Sequence, residues 1–367
     1  YQETLHPKAI DLGLERVRAV LERLELPPSP AFTISIAGTN GKGSSVALLD
    51  SILRAAGHRV GTYTSPHILR YNERIAIDGK PVEDASLLRA FERIERARCG
   101  LSLSFFEFGT LAALILFSEH PLDVRLLEVG LGGRLDAVNV VDADVALIAS
   151  IDIDHQEWLG DHRAAIGLEK AGIMRPGRPV VLGDPTVPGE VVEFARRLGA
   201  VPYRSGIDFD CDRGDSGWSW RSKEKTIGAL PPPALQGDHQ FLNASAVIQC
   251  LELLPSRLRP SLDDLARGLS DVRLPGRFQR FEGSVPVLLD VAHNPQAVRV
   301  LRDFLDRQYP GTTLRAVFAV MRDKDIPAMV RIMGPRVQGW YLAPLNMTRA
   351  ATSVELTEIL HNAGAGE

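Results

Sequence analysis

The sequence predicts an α/β protein with a large first domain around a parallel sheet and a smaller, Rossmann-like α/β domain after it. Helical and strand periodicities alternate along the chain, which favours βαβ units. Residues 145–150 are almost wholly apolar and residues 124–129 are apolar at four of six positions, as expected for strands covered on both faces of a sheet. A glycine-rich segment at 38–43 stands between a predicted strand and a predicted helix.

The first elements form one βαβ unit. Residues 14–24 carry leucine and valine at the spacing of one helix face, and a proline cluster ends that helix. Residues 32–37 predict a buried strand, and the apolar spacing over 46–53 predicts the helix that follows, with Gly57 placed to end it. Residues 60–63 predict the next strand, so the two strands run parallel.

The alternation continues toward the C-terminal end. Helices are predicted at 87–94 and 105–117, and a strand at 180–182. The stretch 205–237 is rich in Asp, Gly, Ser, Trp and Pro, which predicts an irregular or small antiparallel insertion. A second series is predicted as strand 285–291, helix 295–305, strand 314–320, helix 326–333, strand 340–343 and helix 354–360.

A proline and a glycine interrupt both periodicities at 274–277. We therefore predict that residues 1–275 form the first domain and residues 276–367 the second. The chain begins with Tyr1 rather than Met, and we expect that residues preceding it are missing.

Composition excludes several classes of protein. The chain has 367 residues, 45% of them hydrophobic and 24% charged, with a net charge of −4. Such a chain can bury sizeable cores, and its negative charge disfavours non-specific binding of nucleic acid. Its longest strongly apolar stretch, 111–117, is far shorter than a membrane-spanning helix requires. The three cysteines, Cys99, Cys211 and Cys250, are far apart, which predicts reduced thiols in a cytoplasmic protein rather than a disulfide framework.

The strongest chemical signal is the segment Gly38–Thr39–Asn40–Gly41–Lys42–Gly43–Ser44. Glycines let backbone N–H groups turn toward an anion, and the N-terminus of the following helix adds positive potential. Lys42 would neutralise the β- and γ-phosphates of ATP, and Ser44 would offer a hydroxyl to Mg²⁺. The strict GxxxxGK[ST] pattern fails here, and the alternative interpretation is a turn in which Ser44 caps the helix.

Further segments, together with this loop, resemble a known family. The chain contains DLGLER at 11–16, TSPH at 64–67, FEFGT at 106–110, EVGLGGRLDA at 128–137, DH at 154–155, EKAG at 169–172, LPGR at 274–277 and DVAHNP at 290–295. Over nearly its whole length the chain resembles the dihydrofolate synthase/folylpolyglutamate synthase family, which belongs to the Mur-ligase-like ATP-dependent amide ligases. Two departures stand out: Val138 replaces a threonine, and the family usually continues with a further strand and helix, so we expect that the chain is truncated at its C-terminal end.

The resemblance implies a reaction. ATP would phosphorylate a pteroate carboxylate, and the amine of L-glutamate would attack the acyl phosphate. The implied substrates are dihydropteroate, tetrahydrofolates, L-glutamate and ATP, with Mg²⁺ as cofactor and no nucleic-acid or membrane partner. We expect a monomer. The alternatives are a Mur-type peptidoglycan-precursor ligase and a nucleotide-binding protein without ligase activity.

The resemblance also implies site residues. Catalytic roles fall to Lys42, Lys170 and His293, with Lys170 carbamylated to N6-carboxylysine. Beyond the glycine-rich segment, ATP would contact Asn243, Arg277 and Asp290, where Asp290 makes a ribose or an ordering contact. The metal would be bound by Ser44, Ser65, Glu128 and His155. The pteroate pocket would comprise Ile10, Asp11, Leu12, Ser104, Phe105, Phe106, Glu107 and Asp136.

Structural interpretations compete with several of these roles. Lys170 would lie on a solvated helix face, Asn243 would cap a helix, and Phe105 and Phe106 would be core residues. The DVAHNP segment would serve as a helix start, with Asn294 as the capping residue before a proline.

Overall fold

The computed structural model describes residue 6 and residues 11–214, 217–347 and 349–365. These residues form two compact units. The first contains the described residues up to Ile151, together with Asp161–Leu235 and Gln240–Leu274. The second contains Asp152–Gly160, Gln236–His239 and the described residues from Pro275 onward. Two short segments earlier in the chain thus join the second unit, which the predicted boundary at 275/276 did not include.

The first unit is organised around one large sheet. Within the described residues it has eight strands in the order β4-β3-β2-β5-β1-β6-β7-β8. The strands are β1 Phe32–Ala37, β2 Val60–Tyr63, β3 Ile75–Ile77, β4 Lys80–Pro81, β5 Val124–Glu128, β6 Val145–Ile148, β7 Pro179–Leu182 and β8 Val201–Arg204. All neighbouring strands from β2 to β8 pair in parallel, whereas β3 and β4 add antiparallel pairs at one edge. The predicted parallel sheet is therefore confirmed.

Helices cover this sheet. They are α1 Glu15–Leu24, α2 Lys42–Ala55, α3 Asp84–Arg98, α4 Phe105–Ser118, α6 Arg163–Ala171, α7 Gly189–Leu198, α8 His239–Glu252 and α9 Leu262–Asp271. Side chains of α2, α8 and α9 share one hydrophobic core with β1, β5 and β6. Helix α4 is buried from residue 107 to residue 117, as its apolar sequence predicts. No helix among the described residues is long and apolar enough to cross a lipid bilayer.

The stretch that interrupts the alternation forms a small antiparallel sheet. Strands β9 Phe209–Gly214, β10 Gly217–Ser222 and β11 Thr226–Leu230 lie in the order β11-β10-β9. Trp218 and Trp220 alternate with polar residues and are buried against α8. This arrangement confirms the predicted antiparallel insertion.

The second unit contains α5 Gln156–Leu159, β12 Gln279–Phe281, β13 Val287–Leu289, α10 Pro295–Gln308, β14 Leu314–Phe318, α11 Ile326–Met333, β15 Val337–Leu342 and α12 Ser353–Asn362. Strands β12 and β13 pair antiparallel, and β14 and β15 pair in parallel. The predicted strand 285–291 was wrong in extent, since only its central part forms a strand, and β12 precedes it. Pro286 lacks the N–H that a strand ladder requires.

Candidate active site

The glycine-rich segment connects β1 to α2. Gly41 adopts φ +83°, and a Cβ at this position would lie 2.7 Å from Asn243 Oδ1. Only glycine combines this left-handed conformation with so close an approach of a neighbouring side chain. Thr39 N donates to Ser150 O at 2.8 Å, and Asn40 N donates to Ser150 Oγ at 2.9 Å. The loop is therefore anchored to the chain that follows β6.

Lys42 begins helix α2. Its ammonium group donates to Gly38 O at 2.8 Å and to Thr39 O at 3.2 Å. Burial raises the pKa of Asp136, and the positive charge of Lys42 limits that rise. Lys42 therefore lies close enough to interact electrostatically with Asp136, a residue predicted to bind pteroate.

Ser44 lies inside helix α2 rather than at its cap. Gly41 is the N-cap residue, so the alternative in which Ser44 caps the helix was wrong. Ser44 is buried, and its Oγ accepts a hydrogen bond from Gln240 Nε2 at 3.3 Å. Gln240 Oε1 accepts in turn from Asn243 Nδ2 at 2.9 Å. Asn243 is in the second turn of α8, which shows that the helix-cap interpretation of this residue was also wrong.

Glu128 is the last residue of β5. Its main chain pairs with Ile36 of β1, two residues before the loop begins. The side chain is buried, and Glu128 Oε2 accepts from Ser65 N at 3.2 Å. Because ligand crevices of open α/β sheets form at the carboxyl ends of the strands, Glu128 and Ser65 lie at the expected edge.

The oxygen donors near the phosphate loop suit a divalent cation that is bound together with a nucleotide. No cluster of three or more His, Cys, Asp or Glu side chains suited to a metal occurs among the described residues. Mg²⁺ at nucleotide sites usually takes one or two carboxylates, with water and phosphate oxygens completing its shell. One buried carboxylate, Glu128, with the hydroxyl groups of Ser44 and Ser65 fits a metal held together with a nucleotide.

His155 belongs to the second unit, whereas Ser44, Ser65 and Glu128 belong to the first. Its Nε2 lies 3.2 Å from Lys324 Nζ. The Lys324 ammonium also donates to Asp154 Oδ1 at 2.7 Å, and Asn294 Nδ2 donates to Asp154 Oδ2 at 3.1 Å. Burial opposes ionisation of Asp154, but the charges of His155, Lys324 and His293 hold its pKa at about 2. A cluster centred on an ionised Asp154 therefore contains His155.

Lys170 is buried near the end of α6, with 3% of its surface exposed. The interpretation as a solvated helix face was therefore wrong. The end of α6 contacts the loop after β5, where Arg134 N donates to Glu169 O at 2.8 Å. Asn139 Nδ2 donates to both Arg134 O and Gly172 O at 3.0 Å. These bonds fix the part of the helix that carries Lys170.

Arg16 links two of the residues predicted for the pteroate pocket. Its guanidinium contacts Asp11 Oδ2 at 2.5 Å and Glu107 Oε1 at 3.0 Å. Ser104 caps α4 and forms a capping box with Glu107. Leu12 is half-buried beside Asp11, and Ile10 lies outside the described residues. The N-terminal segment is thereby joined to the start of α4.

Phe105 and Phe106 are half-buried, not enclosed core residues. The Phe106 ring lies over Gly130, where an added Cβ would come within 2.7 Å of the ring. Asp136 is 2% exposed, and its carboxylate accepts from Leu131 N at 2.8 Å and from Val138 N at 3.1 Å. Burial raises the pKa of Asp136 to about 7, against the opposing effects of these bonds.

The remaining predicted residues lie in the second unit. Asp290 accepts from Phe278 N at 3.1 Å and from Ala292 N at 2.8 Å, so its carboxylate orders the local backbone. Burial raises the pKa of Asp290, and these two hydrogen bonds and the charge of Arg277 limit the rise. Arg277 is half-buried next to this turn. His293 Nδ1 donates to Val291 O at 2.9 Å, and the side chain is 49% exposed.

Asn294 caps α10, accepting from Ala297 N at 2.9 Å, with Pro295 in the first turn. The structural interpretation of this helix start is therefore confirmed.

Three polar residues that contact the predicted site residues, Gln240, Arg16 and Lys324, were not predicted from the sequence. Gln240 precedes Asn243 by three positions, the spacing of one helix face, and this was the available signal. Arg16 lies in the quoted DLGLER segment but had no assigned partner. Lys324 is one charge within a charged turn, and nothing local marks it as the partner of Asp154.

A parallel sheet carrying this phosphate loop, followed by a smaller α/β unit, defines the class of Mur-type ATP-dependent ligases. Residues 276–366 match the family described as Mur ligase, glutamate ligase domain. The dihydrofolate synthase/folylpolyglutamate synthase of Escherichia coli is 43% identical over 363 residues, which cover 99% of this chain and 84% of the relative. Its counterpart in Haemophilus influenzae is 39% identical, with 98% and 85% covered.

Solved structures agree. E. coli FolC in complex with DHPP and ADP superposes with a TM-score of 0.93 at 42% identity, covering 100% of this chain and 86% of that one. A bifunctional folylpolyglutamate synthase/dihydrofolate synthase with Mn, AMPPNP and L-glutamate bound gives a TM-score of 0.90 at 44% identity, with 98% and 86% covered. The chain belongs to the dihydrofolate synthase/folylpolyglutamate synthase family and is an ATP-dependent ligase.

Proposed function

We propose that this ligase joins L-glutamate to dihydropteroate, forming dihydrofolate, and to tetrahydrofolates, extending a γ-linked polyglutamate tail. The observation that carries the proposal is the phosphate loop, in which the Asn243 side chain packs closely against Gly41. The chain that carries this loop is 43% identical to the E. coli dihydrofolate synthase/folylpolyglutamate synthase. The relatives solved with DHPP, ADP, Mn, AMPPNP and L-glutamate support these substrate classes.

The proposed reaction has two steps. A carboxylate oxygen of the folate substrate attacks the γ-phosphorus of ATP, giving an acyl phosphate and ADP. The glutamate amine then attacks the acyl carbon, the C–O bond to phosphate breaks, and the amine loses its proton as the amide forms. Phosphoryl transfer depends mainly on positioning and charge neutralisation, and Lys42 supplies positive charge at the β- and γ-phosphates.

The proposed metal ligands are Ser44, Ser65, Glu128 and His155. A divalent cation such as Mg²⁺, when bound, neutralises phosphate charge. The protein's part is to present a buried carboxylate and hydroxyl groups at the edge of the sheet. Asn243 and the loop backbone contact the nucleotide from the first unit.

We propose that residues 1–275 form the domain that binds ATP and pteroate. Residues 276–367 would form a second domain that completes the ATP and glutamate site. There Arg277 would bind phosphate, Asp290 would contact ribose while ordering the turn, and His293 would stand at the reaction centre. The pteroate pocket would comprise the described residues Asp11, Leu12, Ser104, Phe105, Phe106, Glu107 and Asp136. We further propose a cytoplasmic monomer.

Lys170 is proposed to be carbamylated. Its Nζ would attack CO₂ and lose a proton, forming a carbamate that carries one negative charge. Burial favours the neutral amine that this chemistry requires. ¹³CO₂ NMR should give a carbamate resonance that is absent from K170A, and small carboxylic acids should partly restore the activity of that variant. Unmodified lysine in a fully active enzyme would contradict the assignment.

The deciding experiment measures phosphate release with ATP and L-glutamate, first with dihydropteroate and then with tetrahydrofolate. Turnover that requires both glutamate and the folate acceptor is the expected result. A peptidoglycan-precursor ligase would instead require a UDP-sugar acceptor. ATP binding without acceptor-dependent turnover would indicate a nucleotide-binding protein and would refute the proposed reaction.

A further inference from the structure

Three buried amide and hydroxyl groups form a continuous chain next to the phosphate loop. Gln240 has no exposed surface. Its carboxamide accepts from Asn243 Nδ2 at 2.9 Å and donates to Ser44 Oγ at 3.3 Å. The first bond spans one turn of α8, whereas the second joins residues 196 positions apart in sequence.

The direction of these bonds decides what Ser44 can do. Asn243 donates through its NH₂ group, so the Gln240 oxygen faces Asn243 and the Gln240 NH₂ group faces Ser44. A serine hydroxyl has one donor and two acceptor lone pairs. When Gln240 donates to one lone pair, the second lone pair and the O–H have fewer accessible orientations. The Ser44 hydroxyl is thereby held before any ligand arrives.

We propose that Gln240 is a positioning residue that orients the Ser44 hydroxyl toward the divalent cation of the bound nucleotide. This inference rests on the proposed function, in particular on Ser44 as a metal ligand. Gln240 acts through Ser44, and Asn243 fixes the direction of the Gln240 amide. A cation ligand that is already oriented loses less conformational freedom on binding, so the cation binds more tightly.

The test is Q240M, a change of similar volume that removes both hydrogen bonds. The dissociation constant of Mn²⁺ for the enzyme–ADP complex, measured by electron paramagnetic resonance, should rise about fivefold, the effect of one typical hydrogen bond. Binding of ADP without metal should change by a smaller factor than Mn²⁺ binding, since Ser44 acts on the cation and only the lost bond to Asn243 affects the nucleotide. Q249M is the matched control, because Gln249 is also buried on α8. It should leave the Mn²⁺ constant unchanged.

A double-mutant cycle separates action through Ser44 from action through Asn243. S44A should weaken Mn²⁺ binding by itself, and Q240M should add little to S44A because the group it positions is gone. If Q240M has the same effect with and without Ser44, Gln240 does not act through the hydroxyl and the inference is wrong. Should Q240M fail to fold, Q240N keeps the amide but withdraws it by one methylene and should give the same pattern.

The cycle also distinguishes the metal-binding role of Ser44 from the positioning role of Gln240. Normal Mn²⁺ binding by S44A would refute Ser44 as a metal ligand, and with it this part of the proposed function. Weak binding by S44A together with normal binding by folded Q240M or Q240N would leave the metal site intact and refute only the role of Gln240.

Discussion

Asp136 offers a test of how the loop after β5 is built. The residue caps the 3₁₀ turn Ala137–Val140 and is 2% exposed. Burial raises the pKa of Asp136 from 3.8 to about 7 in the folded chain, while hydrogen bonds from Leu131 N, Val138 N and Gly130 N and the charge of Lys42 limit the rise. We predict that the wild-type protein loses stability as the pH rises and that this loss is absent from D136N.

The sign follows from linkage between protonation and folding. Below pH 3.8 the carboxyl is protonated in both states and carries no penalty. As the pH rises toward 7, the unfolded chain releases the proton more readily than the folded chain, so folding loses free energy by up to about 1.4 kcal/mol per pH unit. Between pH 5 and pH 8 the wild type should lose about 2 to 3 kcal/mol of stability relative to D136N.

The assay is urea unfolding at several pH values, followed by tryptophan fluorescence. A chain with two compact units need not unfold in one step, so the signal must come from the first unit alone. Trp218 and Trp220 are buried there, whereas Trp158 and Trp340 belong to the second unit. In a W158F/W340F background, the free energy of unfolding is measured with Asp136 and with D136N. The difference between the two values cancels the contributions of the other titrating groups.

The result that would refute this reasoning is a stability difference that stays constant from pH 5 to pH 8. A difference that favours the wild type increasingly as the pH rises would show that backbone N–H groups, not burial, dominate the titration of Asp136. Loss of a backbone hydrogen bond in D136N shifts the whole curve by a constant, so it does not imitate the predicted slope.

Three further substitutions test the phosphate loop and the metal site. K42A should reduce steady-state ligation at least a hundredfold, by loss of charge neutralisation, while the melting temperature changes little because Lys42 is only half-buried; near-normal turnover would exclude the assigned role. G41A should lower the free energy of unfolding by about 1 to 3 kcal/mol, because it adds contact with Asn243 to the strain of φ +83°. G57A has φ +84° and open space around the added Cβ, so an equal loss in both variants would show that the contact is unimportant. E128Q should raise the Mg²⁺ concentration for half-maximal activity about tenfold or more, and an unchanged titration of the folded variant would remove Glu128 from the metal site.

Local patterns in the sequence determined the order of elements and the position of the phosphate loop. The strand Phe32–Ala37, the strand Val60–Tyr63 and the helix Ile326–Met333 have the predicted bounds. The two strands are almost continuously buried, which leaves a short apolar run in the sequence, and the helix buries one face, which leaves a helical period. The loop was predictable because its glycines and Lys42 form a short contiguous motif between a predicted strand and a predicted helix. Pro286, by contrast, shortened a predicted strand that its apolar neighbours alone would have extended.

Tertiary structure decided which polar residues are buried and what they touch. Lys170 follows a glutamate on an amphipathic helix, and only the packing of α6 against the loop at 130–136 shows that its side chain is enclosed. Gln240 meets Ser44 across 196 positions, and Arg16 meets Glu107 across 91. Such contacts leave no periodic signal, because each depends on the register of sheet and helices that are far apart in sequence. The sequence alone therefore predicted the position of the phosphate loop, whereas the tertiary structure determined which residues contact it and fix its position.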